Sequence, residues 1–227
     1  MNTSVNTTYT PDSAARTESA IATHRVLRNT YMLLSLTLLF SAATATLTAV
    51  LNLPSPGILI TLAGYFGLLF LTAKLRNSAG GVFSVFALTG FMGYTLGPIL
   101  NNYLSLPNGA QVVGMAMGGT GAIFIGLSAY VLATKRDFSA MRGFLFIGII
   151  IAFVASLAAI FFAIPALSLT VSAVMVLLMS GMILYETSNI INGGETNYVM
   201  ATVGLFVSVF NLFISLMQLL GFMSADD

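Results

Sequence analysis

The stretch NSAGGVFSVFALTGFMGYTLGPILNNYLSLPNGAQVVGMAMGGTGAIFIGLSAYVLAT, residues 77–134, runs for 58 residues without a lysine, arginine, aspartate or glutamate. A water-soluble domain carries a charge at about one position in four, so the solvent for this run is hydrocarbon. One crossing takes about 20 residues, and the run is punctuated midway by Asn101, Asn102, Pro107, Asn108 and Gly109, residue types that turn a chain. It therefore reads as two membrane helices with a turn between them. Both halves are continuously apolar rather than alternating, and each is about twice the length of a membrane strand, which rules out a barrel.

Three more uncharged runs flank this one, at residues 29–73, 143–185 and 196–225. Asn52, Pro54, Pro56 and Gly57 divide the first and Pro165 the second, giving two, two and one further helices. The expected spans are 30–51, 57–74, 80–100, 111–134, 143–163, 166–188 and 199–223. The fold class is all-α, a polytopic membrane protein with a seven-helix transmembrane domain over residues 29–227. Residues 1–28 are rich in Thr, Ser, Ala and Asn with mixed charges, and read as a disordered cytoplasmic tail. No short apolar stretch with a small-residue cleavage site precedes the first span, so the tail is expected to remain in the mature protein.

All eight basic residues fall on one side of this arrangement: Arg16, Arg25 and Arg28 before span 1, Lys74 and Arg76 between spans 2 and 3, and Lys135, Arg136 and Arg142 between spans 4 and 5. The positive-inside rule makes that side the cytoplasm. Seven crossings then place the carboxyl terminus outside, with a re-entrant seventh segment as the alternative, because the loop before span 7 holds Glu195 and no basic residue.

The chemical inventory excludes most catalysis. With no cysteine and one histidine, thiolate metal sites, disulfides and most imidazole chemistry are gone. His24 lies in the tail, where it reads as a solvated residue. A membrane serine protease therefore lacks its base, and a membrane aspartyl protease lacks its second carboxylate. No Gly-Lys phosphate loop occurs, so no nucleotide is expected, and a net charge of +1 argues against nucleic acid. The chain reads as a non-enzyme without a cofactor or metal.

Two spans carry polar stripes. Thr37, Ser41, Thr44 and Thr48 share one face of span 1, and Gly204, Ser208, Asn211, Ser215 and Gln218 one face of span 7. Hydrocarbon offers such groups no partner, so both faces point at protein or at a hydrated cavity. The first reads as close packing, whereas Asn211 and Gln218 demand more hydrogen bonding than packing requires. Gly93 and Gly97, and Gly114 and Gly118, have the spacing of close helix contact. Glu186 is the acidic residue inside an apolar span. It either reaches water at the cytoplasmic end of span 6 or serves as a functional carboxyl facing Ser208 and Asn211, with Lys74 at the same level as a possible counter-charge.

Gly90-Phe-Met-Gly-Tyr-Thr-Leu-Gly-Pro-Ile99 and Ala116-Met-Gly-Gly-Thr-Gly-Ala-Ile-Phe124 resemble the signature of the Bax inhibitor family of seven-span membrane proteins, with departures at Gly121 and Ala122. His24-Arg-Val-Leu-Arg-Asn-Thr30, Leu53-Pro-Ser-Pro-Gly57 and the segment Tyr185 to Tyr198 resemble a bacterial branch of that family whose members modulate the FtsH protease. The resemblance implies a central seventh helix wrapped by six others, a bacterial inner-membrane location with a periplasmic carboxyl terminus, and a membrane-anchored ATP-dependent protease, FtsH, as partner. It also implies an alternative: a pH-sensitive calcium or proton leak gated by carboxylates on spans 6 and 7. The first of these positions matches Glu186, with Glu in place of the usual Asp. The second falls at Ser208, which cannot ionise.

Overall fold

The computed structural model describes residues 11–224. Seven α-helices follow one another: α1 (Pro11–Val50), α2 (Ile58–Leu75), α3 (Ala79–Leu104), α4 (Gly109–Thr134), α5 (Arg142–Phe161), α6 (Pro165–Ile191) and α7 (Tyr198–Met223), with a 3-10 turn at Ser139–Met141 before α5. All seven have the length and hydropathy to cross a membrane, and in α1 the candidate span is Ile21–Val50. The protein is an all-α polytopic membrane protein.

The expected helix limits shift in informative ways. α1 begins at Pro11, inside the segment expected to be disordered to residue 28. Val26 and Leu27 pack against the same apolar core as Leu34 and Phe206, so the chain gains burial by continuing the helix outward. Residues 1–10 of the expected tail lie outside the described residues. α3 includes Asn101 and Asn102, which the sequence reading assigned to a turn. The Asn101 amide donates to Asn52 Oδ1 at 2.6 Å, so it is satisfied by the neighbouring loop without breaking the helix.

The connections sort into two ends of the bundle. At one end Asn197, from the α6–α7 loop, caps α7 through Val199 and Met200 and donates to Arg76 O at 3.0 Å and Asn77 Oδ1 at 2.8 Å in the α2–α3 loop. Ser188 of α6 holds the α4–α5 loop there, accepting from Phe138 N at 2.9 Å and donating to Arg136 O at 3.1 Å. At the other end Tyr94 donates to Pro54 O at 2.9 Å, and Asn108 to Ser224 O at 3.4 Å. α7 therefore runs the whole height of the bundle, about 39 Å at 1.5 Å per residue for its 26 residues.

α7 packs against α1, α2, α3, α4 and α6, and it is the most buried of the seven spans. α5 packs on α6 instead, so α7 is the core of a bundle in which one helix stands in a second layer. The α1–α3 seam shows how close the helices come. Gly93 lies against Ser41 and Thr44, and Gly97 against Thr48, so that a methyl group at either glycine would overlap those hydroxyls. The hydroxyls turn back on their own helix: Thr37 donates to Leu34 O and Thr48 to Thr44 O, both at 2.9 Å. The span 1 stripe is thus a packing surface. Gly114 and Gly118 have the same spacing but face open space.

Candidate functional site

The polar face of α7 forms the back of a cavity of about 640 Å³, walled by α2, α3, α5 and α6. Gly204, Ser208, Asn211, Ser215 and Gln218 all line it, and Glu186 of α6 is the one carboxylate that does so. The polar groups spread along α7 because positions three and four apart share a face. From Ser208 to Gln218 they cover about 15 Å at 1.5 Å per residue.

Glu186 sits at one pole of the cavity. Its Oε2 accepts a hydrogen bond from Ser208 Oγ at 3.0 Å, and its Oε1 lies so near Gly204 that a Cβ there would come within 2.5 Å of it. Glycine at 204 is what lets a carboxyl from α6 rest against α7. Ser208 Oγ is also 3.1 Å from Gly204 O. A hydroxyl has one proton to give and two lone pairs. An ionised Glu186 therefore accepts a hydrogen bond from the Ser208 hydroxyl, while a protonated Glu186 can donate to Ser208 Oγ, which then donates its own hydrogen bond to Gly204 O. Both forms of the carboxyl find a partner in the same three residues.

At the opposite pole Gln218 joins α7 to α6. Its Oε1 accepts from Ser172 Oγ at 2.7 Å, and its Nε2 donates to Ser168 Oγ. Asn211 lies between the poles, with its amide nitrogen donating to Val207 O at 2.8 Å on its own helix. On the side of α2 and α5, whose backbones do not pack together, the rings of Phe66 and Phe153 meet nearly edge to face with centroids 6.2 Å apart.

Of the residues singled out from sequence, Glu186, Ser208 and Asn211 come together in the cavity. Lys74 does not line it and is exposed at the end of α2, where a flexible stem delivers its ammonium to water. Sequence reasoning missed Tyr65, Ser168 and Ser172, which complete the lining. Thr61 with Tyr65, and Ser168 with Ser172, are polar pairs at helical spacing that would have marked the facing walls. As a donor set, one carboxylate with amide and hydroxyl oxygens falls short of the several anionic oxygens that a dedicated calcium site uses.

The sequence matches the family described as "Inhibitor of apoptosis-promoting Bax1" over residues 23–225. The chain belongs to the Bax inhibitor family. Among its relatives in that family, the Escherichia coli protein called "Modulator of FtsH protease YccA" is 57% identical over 208 residues, covering 92% of this chain and 94% of that protein. An uncharacterised protein of Pseudomonas aeruginosa is 54% identical over 213 residues, covering 92% and 96% of the two chains. A membrane protein of Vibrio cholerae is 44% identical over 211 residues, covering 92% and 95%. The match to the Bax inhibitor family takes in α1 from residue 23 onward, all of α2 to α7 and the whole cavity lining.

Proposed function

We propose that this protein is a non-enzymatic, multi-pass protein of the bacterial inner membrane that binds FtsH and modulates it as a slowly degraded substrate. The observation that carries this reading is the 57% identity, over nearly the whole of both chains, to a protein named as a modulator of FtsH. The bundle supports it physically. A protease that threads its substrates from one end would take hold of the polar amino-terminal segment ahead of Val26 and Leu27. It would then meet seven helices locked by the α1–α3 seam and the α6–α7 contacts. Slow extraction keeps the protease occupied. The basic residues share one end of the bundle, which supports a cytoplasmic amino terminus and a periplasmic carboxyl terminus. Co-purification of FtsH with the tagged full-length chain from native membranes tests the reading. Absence of FtsH from the complex, together with unchanged FtsH activity on another membrane substrate, would end it.

A second reading, a pH-sensitive proton or calcium leak, is favoured by one observation: Glu186 and Ser208 are hydrogen-bonded across the α6–α7 interface in a largely apolar cavity whose α7 face is polar. Ion flux in liposomes, compared with Glu186→Gln, separates it from the first.

A further inference from the structure

A second concave feature lies on the other side of the bundle, at the end where the basic residues gather. His24, Arg25, Leu27, Arg28 and Tyr31 of α1, with Leu132 as the one lining residue from α4, form an open groove of about 740 Å³. The backbones of α1 and α4 do not pack on one another; their side chains meet where the Tyr31 ring lies 6.0 Å from that of Phe124. The Tyr31 hydroxyl is held 3.4 Å from Thr187 Oγ1, which fixes the ring as the inner floor. Arg25 and Arg28 are three residues apart on a helix and so project on one face, and both are exposed.

The three carboxylates whose surroundings are described are engaged elsewhere. Asp137 accepts from Ser139, Glu195 from Asn197 N, and Glu186 from Ser208. The groove therefore presents cationic groups above an apolar floor, with no carboxylate lining it among the described residues.

Its depth in the membrane follows from the helices. The α1 span, Ile21–Val50, has 30 residues. That is about 45 Å of helix against about 30 Å of hydrocarbon, leaving roughly ten residues to project. Thr202, one turn into α7, donates to Thr30 O at 3.3 Å, so Thr30 is level with the first turn of α7 and the segment from Ile21 to Arg28 lies beyond it. Arg25, Leu27 and Arg28 thus stand at the height of the lipid headgroups, while Tyr31 and Leu132 face the start of the acyl region.

We infer that the α1–α4 groove binds an anionic phospholipid, its phosphate between Arg25 and Arg28 and the upper part of an acyl chain along Leu132 and Tyr31. Basic pockets between membrane helices take such headgroups, and each basic residue near the surface strengthens binding by about 1 kcal/mol. The bound lipid would brace the root of α1, at the point where the chain leaves the membrane. This inference is independent of whether the chain engages a protease.

Native mass spectrometry of the full-length protein in detergent, titrated with dioleoyl phosphatidylglycerol, reads the binding. Arg25→Gln with Arg28→Gln is expected to weaken it about tenfold or more, and either change alone about fivefold. The single variants carry the test should the double variant fail to fold. Arg76→Gln with Arg142→Gln removes the same charge from the same end of the bundle outside the groove and is expected to leave binding within about twofold. Leu132→Asn is expected to weaken lipid binding through the floor. Equal loss in both double variants would reduce the effect to diffuse attraction and overturn the site. Equal affinity for the phosphatidylcholine of the same chains would overturn the headgroup assignment, and binding of inorganic phosphate as tight as that of the lipid would assign the groove to a free anion instead.

Discussion

The Ser208 hydroxyl lies 3.0 Å from Oε2 of Glu186, across the interface between α6 and α7. The resemblance drawn from the sequence implies a carboxylate at the position that Ser208 occupies, and two carboxylates at that distance would share a proton because both cannot ionise together. Serine leaves Glu186 without that competition. In proteoliposomes Ser208→Asp is expected to introduce or strengthen a pH dependence of cation flux, and Glu186→Gln to alter any flux while leaving membrane insertion intact. Flux that is indifferent to both substitutions would remove the pair from any ion pathway.

Gly204 makes that contact possible, since a Cβ would come within 2.5 Å of Glu186 Oε1. Gly204→Ala is expected to push the carboxyl end of Glu186 aside, a small cost for the tip of a flexible side chain and one offset by the better helix propensity of alanine, so stability should change by less than about 1 kcal/mol. Its flux phenotype should follow that of Glu186→Gln. Thermal unfolding in detergent, read beside liposome flux, checks both halves.

Gly97 tests the packing of the bundle away from the cavity. Its contact with Thr48 leaves no room for a methyl group, so Gly97→Ala is expected to cost about 1–3 kcal/mol. Gly118→Ala, on a helix face with nothing near it, should be close to neutral or slightly stabilising, because alanine is the better helix former. A larger loss at Gly118 than at Gly97 in the same melting experiment would contradict the described seam.

The proposed orientation is open to a direct measurement. A reporter fused after Asp227 should give a periplasmic signal, because α7 ends beside Asn108, at the end of the bundle opposite Arg76. A cytoplasmic signal would invert the assignment of the two ends or abolish the last crossing.

The amino-terminal segment gives the test of modulation by slow degradation. Residues 2–20 are mostly Thr, Ser, Asn and Ala and precede the packed part of α1. Deleting them while keeping Arg25 and Arg28 should lengthen the lifetime of the protein in cells containing FtsH, as followed by pulse-chase. Degradation as fast as that of the full-length chain would show that the segment is not the handle.

Much of this architecture is legible in the sequence because hydrocarbon tolerates so little charge: apart from the start of α1, Lys74, Arg76, Lys135, Arg142, Glu186 and Glu195 each fall within about five residues of a helix end. The errors arise where a polar residue finds a distant partner. Asn101 looks like a turn until Asn52 is placed beside it. The α7 face was readable from its period. Its facing wall was less so, because serines in a helix usually bond their own backbone, and nothing in the chain order reveals that Ser168 and Ser172 turn to Gln218.

The meeting of Phe66 and Phe153 has a consequence for how the cavity is filled. These rings belong to helices whose backbones do not touch, and both are substantially exposed on the outer surface of the bundle. On that side the enclosure is finished by whatever surrounds the protein. Acyl chains of a given length and order would complete the wall in a membrane, and a detergent would complete it differently. The wall of the cavity on the α2–α5 side is therefore a joint property of the chain and its bilayer.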